Sequence, residues 1–160
     1  MIKTRNTLSA AIRTQSAKVL NTHLAAAIDL HAQLKQAHWN VRGPGFFAVH
    51  ELFDTVSTQV EDYSDLIAER AGQLGDTAHG TIQVAVEKSG LVPYPLGIAD
   101  EHSHIFAVAG ALAAFGEMVR EAIDTTAEFG DATTADLFTE ISRGIDKQLW
   151  FVESHAAPKG

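Results

Sequence analysis

The chain contains no cysteine among its 160 residues. That excludes a disulfide scaffold, thiolate metal sites, cysteine-held iron–sulfur clusters and cysteine nucleophiles. Long hydrophobic runs are also missing. The longest near-apolar stretch, Ile105 to Phe115, is 11 residues, too short to cross a bilayer. The first twenty residues lack the apolar core of a secretory signal, so the expectation is a soluble, cytoplasmic protein. Acidic residues are absent before Asp29. Up to there Lys3, Arg5, Arg13 and Lys18 give residues 1–28 a charge of +4, while all 20 acids and the other 8 bases follow, a charge of −12.

What is present is a 46% hydrophobic content, a net charge of −8 and eight histidines. The apolar content is too high for a disordered chain, and the length suits one domain with a proper core. A basic end on an acidic body reads as an interaction arm or as a solvated helix start with a frayed end. The expected organisation is a flexible, weakly basic arm over 1–12, a helical bundle over 13–155 and a tail over 156–160.

Apolar residues recur at helical spacing nearly throughout. Leu20, Leu24, Ala27, His31, Leu34 and His38 form one face, which stops at Arg42-Gly43-Pro44-Gly45. A second pattern runs from Val49 through Phe53, Val56, Val60, Tyr63 and Ile67 to Leu74. A loop-rich stretch from Asp76 to Ala99 has room for a short helix over Thr81–Lys88. A third pattern runs from Ile105 to Ile123, and a fourth from Leu137 to Val152, with Thr133 or Thr134 as the expected N-cap. Four amphipathic helices with a long second connection predict an all-α, ferritin-like four-helix bundle whose second and third helices run parallel. His102 and His104 sit two residues apart near a helix start, which points them to different sides; both are expected at the surface.

Helix two carries a second, polar stripe: His50, Asp54, Glu61, Asp65 and Glu69. His50 with Asp54, and Asp65 with Glu69, are i, i+4 pairs that place ligand-type side chains about 5–6 Å apart at Cβ. His38 lies twelve residues before His50 across the turn. Imidazole with carboxylate suits iron, manganese or zinc. Asp54 and Asp65 share a face but lie roughly 16 Å apart along the axis, so one ion cannot bind both pairs of the same helix. Pairing helix two antiparallel with a copy of itself resolves this. His50 then faces Glu69 of the copy and Asp54 faces Asp65. Positions 50 and 69, like 54 and 65, have their midpoint between Gln59 and Val60. A two-fold axis there yields two identical sites roughly 22 Å apart. The alternative is that the stripe is a solvated face.

His38-Trp39-Asn40-Val41-Arg42-Gly43, followed by Val49-His50 and Asp54, resembles the signature of the Dps family, the mini-ferritins named for DNA protection in starved cells. Asp65-Leu66-Ile67-Ala68-Glu69-Arg70 with Leu74-Gly75 is similar to the family's second signature. The resemblance implies a dodecameric shell that oxidises Fe(II), preferably with hydrogen peroxide rather than dioxygen, and stores Fe(III). It implies ferroxidase sites built from His38, His50 and Asp54 of one subunit with Asp65 and Glu69 of the other. Zn or Mn fits the same ligand set. Trp39, beside His38, is open to a role as electron donor or as a structural anchor. Asp131 and Asp136 are open to lining a pore or to ordinary capping at the helix-four start. Glu61 reads as an interface carboxylate or an aid to iron transfer. Non-specific DNA binding through twelve arms, which would place the protein at the nucleoid, is the competing function, opposed by the acidic body and so expected to be weak. A di-iron site inside one bundle needs two Glu-x-x-His motifs, and only Glu101 with His104 has that spacing. No second histidine follows His50-Glu51 at the zinc-hydrolase spacing.

Overall fold

Ser9 accepts a hydrogen bond from the Ile12 amide and starts the first helix, α1, Ala10–Asn40. The computed structural model describes residues 2–156. After the glycine turn comes α2, Phe46–Gln73. The long connection holds a short helix, α3, Ile82–Lys88, capped by the Thr81 side chain. Then follow α4, Glu101–Glu128, and α5, Ala132–Glu153. The described residues contain no β-strand; one parallel bridge joins Arg42 to Asp100. Among them no helix is long and apolar enough to cross a membrane.

The helices pack as two hairpins, α1 with α2 and α4 with α5, and α3 lies on α1. The Gly45 amide, at the start of α2, donates to Glu101 in the first turn of α4. Both helices therefore begin at one end of the bundle and run parallel, as a ferritin-like crossover requires. The predicted apolar stripes form the core: Leu20, Leu34, Phe53, Ile67, Phe115 and Phe138 are all fully buried. Phe53, Phe115 and Phe138 come from three different helices, so each large ring fills space that the others leave. His23 ties α1 to α4, its ring nitrogens 2.7 Å from the Val19 carbonyl and 2.9 Å from that of Met118. Gly144 leaves room for the Tyr63 hydroxyl; a Cβ there would overlap it outright.

The fourth long helix begins earlier than the threonines suggested. Its cap is Asp131, whose carboxylate accepts from the Thr134 amide at 3.1 Å. Gly130, at φ 86°, turns the chain out of α4 just before it. His104 corrects a second expectation. Its neighbour His102 is exposed, but His104 is buried, because one of the two sides that their spacing selects is the bundle interior. Residues 2–8, expected as part of a flexible arm, lie against the end of α2. The Ile2 amide donates to Gly75, and Arg13 donates to the carbonyls of Leu8 and Leu74. Of the expected tail, Ala156 donates to Glu153 and 157–160 lie outside the described residues.

Candidate metal centre

The last turn of α1 carries His38 and the first turns of α2 carry His50 and Asp54. The turn between them is clamped from outside. The Arg42 amide donates to the Ala99 carbonyl at 2.9 Å, and the Gly45 amide donates to Glu101 Oε2 at 2.7 Å. A Cβ on Gly43 or Gly45 would lie 2.6 or 2.7 Å from a Glu101 carboxylate oxygen. The two glycines therefore let Glu101 sit against the backbone and complete the start of α2, whose first amides have no partner within the helix.

His38 and His50 stack with ring centroids 3.7 Å apart and planes 18° from parallel. Nδ1 of His38 lies 2.8 Å from the His50 carbonyl, and Nδ1 of His50 lies 2.8 Å from the His38 carbonyl. A carbonyl oxygen only accepts, so each Nδ1 carries a hydrogen. In the neutral ring that leaves Nε2 with a lone pair. This is the arrangement that prepares imidazoles for metal, with Nδ1 tied to the protein and Nε2 left with its lone pair; the Glu51 carboxylate lies 3.8 Å from Nε2 of His50. Phe46 stacks on the other face of His50 at 5.0 Å.

Asp54 receives a hydrogen bond from Lys35 Nζ at 2.5 Å. That bond, with the nearby Lys35 charge, holds its carboxyl below the ordinary carboxylate value, against the opposing effect of burial. The Lys35 ammonium also lies 5.8 Å from the centre of the Trp39 ring, and Trp39 is 65% exposed. His38, His50 and Asp54 are thus brought together at one end of α2. Asp65 and Glu69 are not near them in the same chain. Both are exposed further along the helix, and Asp65 shares a hollow of about 400 Å³ with His31, Glu61 and Ser64. Within one chain, no group of three or more His, Asp or Glu side chains among the described residues is able to hold an ion.

The end of α2 that bears Glu69 is fixed by its neighbour. Arg70 donates to Asp131 at 2.8 Å and to the Thr134 hydroxyl at 2.9 Å, all three buried. This corrects the pore reading of Asp131: its carboxylate is 1% exposed and spent on the cap and the ion pair. Asp136 is exposed. Lys35 and Glu101 were missed as site neighbours. Lys35 stands one helical turn before His38, a spacing open to reading; nothing in the sequence ties Glu101 to the turn.

A ferritin-like domain family model matches residues 17–157. A DNA protection during starvation protein of Agrobacterium fabrum is 46% identical over 98% of this chain and 97% of its own length. A solved Dps structure from Mycobacterium smegmatis superposes with a TM-score of 0.91 at 30% identity, covering 96% of this chain and 93% of that one. Dps from Microbacterium arborescens, solved in its high iron form, superposes at 0.84 with 35% identity over 90% of this chain and 93% of that one. The paired histidines, the crossover bundle and these likenesses agree, and the chain belongs to the Dps family of ferritin-like proteins.

Proposed function

We propose that this protein oxidises iron(II) at sites shared between two subunits and stores the iron(III) product inside a hollow homo-oligomeric shell, in the manner expected of a dodecamer. The observation that carries this reading is the reciprocal tie between His38 and His50. It leaves the Nε2 lone pair of both rings for a metal, with His50 one helical turn from Asp54, while among the described residues no group of three such ligands forms within one chain. Asp65 and Glu69 are exposed and spaced to complete the set from a second, antiparallel α2. An ion held by few protein ligands keeps positions open for water and oxidant.

Iron is the substrate. Two iron(II) ions each give one electron to hydrogen peroxide, the preferred oxidant. Its O–O bond breaks and, with two protons taken up, it leaves as two waters. Delivering both electrons together limits escape of hydroxyl radical, which protects the cell and its DNA. Dioxygen is the alternative oxidant, and zinc or manganese can occupy the same donors. Trp39 is a candidate electron donor beside the site, and exposed Asp136 remains a candidate for guiding iron(II) toward the interior. The protein is assigned to the cytoplasm.

Non-specific DNA binding is the second reading. A shell of chains with net charge −8 repels DNA, and Arg13, in the first turn of α1, is engaged by the carbonyls of Leu8 and Leu74. Only weak, salt-sensitive binding through exposed Lys3, Arg5 and Lys18 is expected. A gel shift at low salt showing tight binding, abolished by deleting residues 1–13, would overturn that. The ferroxidase reading is tested by replacing His50 and Asp54 with alanine, verifying assembly by size, and following iron(II) oxidation with peroxide. Oxidation should fall to the rate of iron in buffer; an unchanged rate would sink the assignment.

A further inference from the structure

Tyr94 and His104 form a pair that the metal centre does not use. Tyr94 lies on the crossover, and its hydroxyl is 2.6 Å from Nδ1 of His104 on α4. His104 is 1% exposed, and its Nε2 is buried without a hydrogen-bond partner. Burial pushes the Tyr94 phenol well above its ordinary value. Burial also lowers the His104 imidazole, against opposing pulls from the Ile98 carbonyl and Asp100. In the tautomer that leaves Nδ1 its lone pair, the phenol donates and the ring accepts. An orphaned imidazole nitrogen in the core costs stability that an apolar pair of the same shape would avoid.

We infer that Tyr94 is a one-electron donor whose phenol proton passes to Nδ1 of His104 as the electron leaves. A phenol stripped of one electron becomes a strong acid, so it yields that electron readily only where a base already touches its hydroxyl. The O–H bond breaks and an N–H bond forms. The electron goes to a peroxide-derived one-electron oxidant such as hydroxyl radical, which becomes hydroxide. A neutral phenoxyl radical and an imidazolium remain. An electron from iron(II) and return of the same proton restore the pair. Tyr94 lines an apolar hollow of about 290 Å³ together with Gln33, which precedes His38 by about 7.5 Å along α1. A radical escaping the metal centre would thus meet a sink within the same end of the bundle. Only this source of oxidant rests on the ferroxidase reading; the donor property does not.

The test therefore uses the full chain stripped of metal, with photo-excited ruthenium tris-bipyridine and persulfate as oxidant, freezing and electron paramagnetic resonance. The chain has two tyrosines, and Tyr63, whose hydroxyl packs over Gly144, is the internal control. The tyrosyl signal should vanish in Tyr94→Phe, persist in Tyr63→Phe, and form more slowly in D2O. His104→Gln keeps a hydrogen-bond acceptor but removes the base, and should lower the yield. A full signal in Tyr94→Phe, or the same rate in D2O and H2O for the unmodified chain, would overturn the proposal even if the His104 variant fails to fold. Neither result bears on iron oxidation at His38 and His50.

Discussion

His38 and His50 each donate from Nδ1 to the other's main-chain carbonyl, both at 2.8 Å. The acceptors are backbone atoms, so they survive any side-chain substitution. Truncating one histidine removes one donor and one stacked ring, yet leaves the surviving imidazole in its tautomer with its partner in place.

That relationship fixes how the single variants behave. His38→Ala and His50→Ala should each weaken cobalt(II) or iron(II) binding by at least about tenfold, the scale on which losing even an outer partner of a metal ligand is felt. Their effects should be nearly additive in the double variant, because neither ring depends on the other's side chain for its hydrogen bond. Titration of the three variants checks this. Strong non-additivity would mean that the ring stack itself orders the site.

Lys35 competes with any cation for Asp54. The pair is half in solvent, with the Asp54 side chain 46% exposed, so its worth is at most about 1 kcal/mol. Lys35→Met keeps the stem over Trp39 and removes the charge. Iron(II) affinity should rise about two- to fivefold, and the Asp54 carboxyl should move back up toward its ordinary value, read by NMR titration of its side chain. Weaker metal binding in this variant would show that Lys35 positions the carboxylate rather than occupying it.

The candidate ligands stand out in the sequence because their chemistry is written at fixed helical spacings. Positions 50 and 54, and 65 and 69, fall on one face of a helix whatever surrounds it. The crossover helix was legible for the same reason, since Thr81 caps the Ile82–Lys88 turn locally. What could not be read are contacts between segments distant in sequence. Glu101 reaches Gly45 across 56 positions, and nothing near either residue announces it. From the sequence, Asp131 is open to lining a pore or to capping a helix start. Its partner Arg70 is 61 positions away, and only the tertiary fold turns that acid inward. His104 was misplaced because helical spacing shows that two side chains diverge but not which one meets the core.

Arg70 and Asp131 make a buried ion pair, and breaking one leaves the other charge stranded. Arg70→Ala should cost about 3–5 kcal/mol, measured by urea unfolding. Burial pushes the Asp131 carboxyl up, but hydrogen bonds from Thr134 and the Arg70 charge bring it below the ordinary value. A carboxyl depressed in the folded state stabilises above its unfolded value, about 4, and loses that contribution as pH falls toward the folded one. Asp131→Asn should therefore be less stable than the unmodified chain at neutral pH. The gap in Tm should close in acid. A gap that stays constant through the acid range would show that the charge on Asp131 contributes nothing.

Sharing of sites across a two-fold axis makes a prediction that no intra-subunit site can meet. One variant chain, His50→Ala with Asp54→Ala, keeps Asp65 and Glu69. A second, Asp65→Ala with Glu69→Ala, keeps His38, His50 and Asp54. Each alone assembles only broken sites and should be inactive. When the two are unfolded together and refolded, a mixed pair contains one site in which the intact histidine half meets the intact acidic half, and one site that has neither. Random pairing makes half the dimers mixed, so about a quarter of all sites are whole, since each isologous interface holds two. Peroxide-dependent iron(II) oxidation should return to about that fraction of the unmodified rate. Separately refolded chains that are only mixed afterwards should stay inactive until subunits exchange. If the co-refolded sample remains as dead as its parents while assembling normally, the acidic half does not belong to the partner and the two-fold construction falls.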